Sequence, residues 1–322
     1  MIVAITGGTG AVGRRLLERH VAAGDTVRAL TRRYDPGFPG SVEVHRGDLA
    51  SEGGALARFA SGADVLYHCA AEIHDPARMK EVNVGGTRRL AAAAREHIGR
   101  WVQLGSIASY GAPAAGIVDE DSPPQAEDVY GRSKTEADRL AIESADKGGL
   151  PCTVLRSANV FGAGIASGSN DVLFRLFSLI ERGLFFFIGR PGALTHWIHV
   201  DCLVDALHLC GRSASRGVRV YNLSDDRPIE DFVGVIASAL GRRPPRLRLP
   251  EAPVRWVARA FGRLPGSPLD ERRVDALVNR AAFTTARIER ELGYLARVPL
   301  EQGLRELVAY WRARASSSRP LQ

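Results

Sequence analysis

The chain has 322 residues, 45% hydrophobic and 25% charged, which excludes disorder as the main state and allows a substantial core. Its 43 basic residues include only three lysines, Lys80, Lys134 and Lys147; with 36 acids they leave a net charge of +7. Cys69, Cys152, Cys202 and Cys210 are scattered, so no disulfide scaffold or thiolate zinc site is expected, and no apolar run reaches bilayer-spanning length.

Residues 1–6 are strand-like and carry no basic leader, so a cytoplasmic protein is expected. A strand at 2–6 leads into a turn at 7–13 and an apolar-periodic helix over 11–23 that stops at Gly24. Further strands are predicted at 26–31, 42–46, 64–68, 101–104 and 152–156, and helices at 54–60, 77–97 and 129–147. This alternation predicts an α/β fold: a doubly wound parallel sheet of the Rossmann type, covered on both faces. The regularity fades after Gly162. One more strand–helix pair is expected over 197–211, then a strand at 218–223. A closing helix after Pro299 carries Leu300, Leu304, Leu307 and Trp311 on one face. The predicted division is a dinucleotide-binding domain over 1–163, completed by about 194–226. A smaller C-terminal α/β substrate lobe takes 164–193 and 227–314, and 315–322 is a frayed tail.

Residues 6–13 read Thr-Gly-Gly-Thr-Gly-Ala-Val-Gly and satisfy G-x-G-x-x-G at Gly8, Gly10 and Gly13 and G-x-x-G-x-x-G at Gly7, Gly10 and Gly13. Such glycines permit a sharp turn, close approach of a pyrophosphate, and tight helix–strand packing. The helix start adds free N–H groups and a positive dipole end. Gly7, Gly10, Ala11, Val12 and Gly13 are therefore the expected phosphate cradle. An ordinary βα turn is the plainer reading; the order strand, turn, helix favours the dinucleotide. The second strand ends Ala29-Leu30-Thr31-Arg32-Arg33, with no acid before Asp35. Arg32 or Arg33 could clamp a 2′-phosphate, which favours NADP, with NAD as the alternative.

Tyr130 and Lys134 lie one turn apart at the start of a predicted helix. A tyrosine hydroxyl, with a pKa of about 10, is a poor base at neutral pH. A neighbouring ammonium and a positive nicotinamide ring would favour the phenolate. Tyr130 could then exchange a proton with a substrate oxygen as hydride moves, while Ser106 hydrogen-bonds the same oxygen. Tyr-x-x-x-Lys pairs also arise by chance on helix surfaces. Here the pair sits one strand–helix unit beyond Ser106 and uses one of three lysines, where arginine could not tune a proton relay in the same way.

Together these motifs resemble the extended short-chain dehydrogenase/reductase superfamily, in its branch of NAD(P)-dependent sugar-nucleotide epimerases and dehydratases. Gly47-Asp48-Leu49 resembles its adenine-contacting turn, where Asp48 would take the adenine amino group. His68-Cys69-Ala70-Ala71 is similar to its strand end that packs on the cofactor. Asn83-Val84-Gly85-Gly86-Thr87 resembles its Asn-Val-x-Gly-Thr, with Asn83 bracing the strand that carries Ser106. Residues 155–162, including Ser157 and Asn159, resemble its run from nicotinamide to substrate. Segments 197–201, 221–223 and 291–294 match later landmarks, so the likeness runs from residue 1 to about 313. It implies a homodimer packed through the helices at 77–97 and 129–147.

Departures narrow the chemistry. The family's 4,6-dehydratases carry an Asp-Glu pair after the catalytic Ser/Thr; Ile107-Ala108 stands here, which disfavours 4,6-dehydration. Many of its epimerases place an arginine before the Ile-His-Val strand; Thr195-His196-Trp197 stands here, leaving Arg190, Arg272 or Arg273 to hold a diphosphate. The leading expectation is keto–hydroxyl chemistry on a nucleotide-linked sugar, as a 4-epimerase or 4-keto reductase, with Ser106, Asn159, Arg190 and His196 as substrate contacts. The alternative is an NADP-dependent carbonyl or hydroxysteroid-type reductase with an apolar substrate, to which Phe174, Phe177, Phe185, Phe186, Phe187 and Trp197 could contribute if they are not core. A non-catalytic dinucleotide sensor is the reading from another class. The histidines show no metal spacing, so no metal is expected. Residues 241–263 hold seven arginines against Glu251. They read as a solvated amphipathic helix, with Arg255, Arg259 and Arg263 opposite Val254, Val257 and Phe261, rather than as a nucleic-acid site; an anionic substrate or a membrane surface is the sharper reading.

Overall fold

The computed structural model describes residues 1–51, 54–165, 169–261 and 271–317. Its first strands are β1 (Ile2–Thr6), β2 (Thr26–Thr31), β3 (Glu43–Arg46), β4 (Val65–His68) and β5 (Trp101–Ser106). β6 (Ala115–Val118), β7 (Cys152–Ser157), β8 (Asn159–Phe161), β9 (Phe187–Ile188) and β10 (Leu194–His199) follow. The last are β11 (Val218–Leu223), β12 (Asp225–Pro228), β13 (Arg248–Leu249) and β14 (Arg280–Phe283). The helices begin with α1 (Ala11–Ala22), α2 (Ala55–Ala60), α3 (Pro76–Met79), α4 (Gly86–Ala94), α5 (Val129–Gly148) and α6 (Ser169–Glu181). α7 (Val200–Arg212), α8 (Ile229–Ala239), α9 (Glu251–Phe261), α10 (Glu271–Val278), α11 (Ala286–Leu292) and α12 (Leu300–Ser317) complete them.

Seven strands form one sheet in the order β11-β7-β5-β4-β1-β2-β3, each neighbouring pair parallel. β4 and β7 are buried along their whole length, as strands covered on both faces must be. One apolar layer joins Val3, Ile5, Leu16 and Val27 to Leu203 and Leu207, and the other joins Ala4, Leu66 and Trp101 to Leu90 and Ala141. The chain runs from β1 outward to β3, then crosses to β4 on the other side of β1. That reversal makes the C-terminal ends of β1 and β4 the switch point of the fold, where open sheets leave a crevice.

Three local features depart from the sequence reading. The strand expected at 101–104 continues to Ser106, because Gly105 and Ser106 pair in register with Arg156 and Ser157 of β7. The helix expected over 77–97 is α3, a π-helical stretch Lys80–Gly85, and α4. There buried Asn83 and adjacent Gly85 and Gly86 accommodate the wider turn. After Gly162 the chain is regular after all: β12, β10 and β8 make a three-stranded sheet, and β13–β9 and β14–β6 make two short ones. Phe161, Phe177, Phe185, Phe187, Trp197 and Phe232 fill a second apolar core with Leu304 and Leu307 of α12.

Candidate active site

Gly7 follows β1 with φ +73, and a Cβ there would stand 2.7 Å from the Ala70 backbone nitrogen. Glycine thus lets the two strand ends meet at the switch point. Gly10 N–H donates to Gly7 O at 2.9 Å, closing the turn, and a Cβ on Gly13 would collide with that same carbonyl. Gly10 caps α1 without any side-chain hydrogen bond, so the first N–H groups of the helix, from Ala11, Val12 and Gly13, are left without a side-chain cap at the positive end of the helix dipole.

A directed chain of hydrogen bonds fixes the floor of this crevice. The Thr87 hydroxyl gives its one proton to Asn83 O at 2.5 Å and therefore accepts from His68 Nε2–H at 2.9 Å. His68 Nδ1 then accepts from the Thr6 hydroxyl at 2.7 Å, which in turn accepts from the Ala70 N–H. Burial pushes the His68 pKa down to about 3, so the ring is neutral, as this pattern requires. Asn83 does not brace β5. Its Nδ2 donates to Glu72 O and Ser133 Oγ, both at 3.0 Å, and its Oδ1 accepts from Glu72 N–H, tying the loop after β4 to α5. Both amide protons are thereby used within the protein.

Ser106, Tyr130 and Lys134 converge. The side chain of Asp128 accepts from Gly131 N–H at 2.6 Å and caps α5, and Gly149 ends the helix in the left-handed conformation. A Cβ on Gly131 would lie 2.5 Å from Ala108 O, so glycine allows the first turn of α5 to press on the 3₁₀ turn Ile107–Tyr110 that follows Ser106. Ser106 acts on Tyr130 there, opposing the rise of its pKa. Ser106 Oγ also accepts from Ala108 N–H, and Ser157 lies beside Ser106 in register.

The electrostatics differ from expectation. Burial raises the Tyr130 pKa above its ordinary value, with Asp138 and Asp128 adding to the shift and only Ser106 opposing it. Lys134 instead donates to Leu104 O at 2.5 Å; burial lowers its pKa, and Asp138 opposes that. Asp138, one turn beyond Lys134, receives Arg156 Nε at 3.2 Å, and the Arg156 guanidinium stands 4.9 Å from the Tyr110 ring centre. Lys134, Asp138 and Arg156 thus form a buried cluster between α5 and β7, which the spacing of Lys134 and Asp138 could have signalled.

Other candidates lie further out. Arg32, 61% exposed, is 3.8 Å from Asp48, whose carboxylate also accepts from Ala50 N–H; Arg33 is exposed nearby. Leu49 is buried against Gly86. Ala71 is half-buried just beyond Ala70. Asn159 Nδ2 donates to His196 O at 3.2 Å, while His196 Nδ1 pairs with Asp226 at 2.9 Å and its ring packs edge-on against Phe283. His196 is therefore engaged in joining β10, β12 and β14, which accounts for it structurally. Arg190 lines a hollow of about 400 Å³ with Gly189, Pro250, Glu251, Val278 and Arg280. The Arg272 side chain, Arg263, the Phe261 side chain and residues 318–322 lie outside the described residues.

A doubly wound parallel sheet whose glycine turn opens at its switch point defines a dinucleotide-binding protein of the Rossmann class. Residues 3–224 match the NAD dependent epimerase/dehydratase family, and the chain belongs to that family. It is similar to the 3 beta-hydroxysteroid dehydrogenase/Delta 5→4-isomerase of Mycobacterium tuberculosis, 28% identical with 96% of this chain and 90% of that protein covered. It resembles the dTDP-glucose 4,6-dehydratase of Streptomyces griseus at 27% identity, covering 98% and 96%. Among solved structures, MoeE5 in complex with UDP-glucose and NAD superposes with a TM-score of 0.74 at 26% identity, covering 98% of this chain and 99% of that one.

Proposed function

We propose that the chain is an NAD(P)-dependent oxidoreductase or epimerase that interconverts a hydroxyl and a keto group on a nucleotide-linked sugar, with Tyr130 as acid/base. The observation that carries this reading is that Tyr130 and buried Lys134 stand one turn apart on α5, with Lys134 Nζ donating to Leu104 O of β5, the strand that ends in Ser106. Gly7, Gly10, Ala11, Val12 and Gly13 would hold the pyrophosphate of the dinucleotide. Arg32, Arg33, Asp48 and Leu49 would hold its adenosine end, and Ala70, Ala71, Asn83 and Ser157 would line the path to nicotinamide. The bound dinucleotide supplies or accepts hydride.

Burial makes the phenol the resting form of Tyr130, so its first act is to donate a proton to a substrate carbonyl oxygen as that oxygen gains charge. Ser106 hydrogen-bonds the same oxygen. Lys134 supplies positive charge to the resulting phenolate, and Asp138 and Arg156 hold it in place. In the reverse direction the same phenolate takes the proton back. Ile107 and Ala108 offer no acid beside Ser106, which weighs against elimination of water.

Two relatives point to nucleotide sugars, and the phenylalanines and tryptophan that would line an apolar pocket are largely spent in core packing. The hydroxysteroid dehydrogenase relative and the missing arginine before residues 198–200 keep an apolar ketone as the second reading. We further propose NADP as the preferred cofactor and 164–193 with 227–314 as the substrate lobe. The assembly would be a cytoplasmic homodimer packed through α4 and α5. The test is a survey with UDP-, GDP- and dTDP-sugars, and separately with apolar ketones and reduced cofactor. Turnover of a sugar nucleotide supports the first reading; turnover confined to apolar ketones replaces it with the second.

A further inference from the structure

The arginine-rich segment of the second lobe is an amphipathic helix with a solvated face, as expected, but Val257 lies on the exposed face and not with buried Val254. Along α9, Val254 and Ala258 are buried with Ile188 and Val274, which fixes one side of the helix against the protein. Arg255 is bound by Glu251 and Asp275, both at 2.7 Å, and Arg259 by Glu271 at 2.6 Å, so these cations are neutralised along the side facing α10. Beside Arg259, itself 67% exposed, runs an outward apolar stripe. Ala252, Pro253, Trp256, Val257 and Ala260 are all exposed, Trp256 at 68% and Val257 at 42%. At helical spacing they form one stripe about 140° wide.

The segment 241–247, which precedes β13 and α9 in the chain, adds charge. Arg242, Arg243 and Arg246 are exposed and make no ion pair among the described residues, and Leu247 is 60% exposed beside them. Of the six arginines between 241 and 261, Arg255 and Arg259 are paired as above and Arg248 pairs with Glu230 at 2.5 Å, which leaves Arg242, Arg243 and Arg246 to carry the outward charge. A second copy of the chain seated face to face on this stripe would bring two such basic segments together and be repelled. An anionic bilayer meets both requirements at once. Tryptophan and small apolar side chains enter the headgroup–acyl boundary, and free arginines meet lipid phosphates.

From this we infer that α9 and the segment 241–247 form a peripheral docking face for an anionic phospholipid surface. The proposal does not rest on the catalytic reading, and its test needs no turnover. The full chain is sedimented at low salt with vesicles of equal parts phosphatidylglycerol and phosphatidylcholine, and with phosphatidylcholine alone. Binding is expected to the anionic vesicles only, and to fall as salt rises. Trp256→Gln with Val257→Ser should weaken it roughly tenfold. Arg242→Gln, Arg243→Gln and Arg246→Gln should each weaken it about fivefold. These positions are exposed, and an unchanged thermal midpoint checks that the variants fold. Absence of binding at low salt overturns the proposal, as does binding that ignores the Trp256 and Val257 changes. Self-association or duplex binding abolished by the same changes, with no vesicle binding, also overturns it.

Discussion

Arg32 and Arg33 stand just after β2 with their side chains in solvent, and among the described residues Arg32 has a distant carboxylate, Asp48 at 3.8 Å, as its ion-pair partner. Cations so placed are available to a 2′-phosphate. Replacing both by alanine is expected to weaken NADP binding by at least tenfold and to leave NAD nearly unchanged, measured by titration. Equal affinity of the unaltered chain for the two dinucleotides would contradict that role. His68 yields a pH prediction of definite sign. Its native pKa of about 3 lies below the ordinary value of about 6.5, so the unfolded chain takes up the proton first as pH falls. This histidine's contribution is complete above about pH 6.5 and declines toward pH 3, by up to about 1.4 kcal/mol per pH unit. His208, lowered by burial to about 4, acts in the same direction. The urea midpoint should drop between pH 7 and pH 5; a constant midpoint would show that the buried neutral ring is misassigned.

At the scale of elements, what the chain order reveals depends on whether a residue's partners are local. The glycine turn was legible because strand, turn and helix are consecutive, and Tyr130 and Lys134 because one helical turn separates them. Asn83 was placed against the wrong element, since its partner Ser133 lies 50 residues away and no spacing encodes it. The side of α9 that Val257 takes was misjudged for the same reason. Periodicity separates Arg255 and Arg259 from Trp256 and Val257, but the packing of Val254 and Ala258 on Ile188 and Val274 decides which side turns inward. Spacing does not reveal Gly131 either, because its need for hydrogen instead of a side chain comes from the carbonyl of Ala108. Gly131→Ala is expected to push the start of α5 off the Ser106 turn. It should lower kcat about ten- to a hundredfold while dinucleotide affinity holds. Unimpaired turnover would show that this contact does not set the geometry of Tyr130.

Over the whole molecule, the proposed site is a meeting of distant segments: the β1–α1 turn, the ends of β4, β5 and β7, and the first turns of α5. The parallel sheet brings them to one edge, and that arrangement was implied by alternating strands and helices. The region after Gly162 was less legible because strands such as β9 and β13 have two residues each, too few for any period to register. It also carries the α9 surface, so lipid contact and hydride chemistry would reside in different parts of one chain. The claim on which everything else depends is that Tyr130 moves the proton that accompanies hydride transfer. The most direct measurement mixes the protein, dinucleotide and the substrate found in the survey in a single turnover, and follows nicotinamide oxidation state by absorbance for the unaltered chain and for Tyr130→Phe. The expected result is a loss of at least about a hundredfold in rate with dinucleotide Kd unchanged within about threefold; a near-normal rate in Tyr130→Phe would contradict the mechanism.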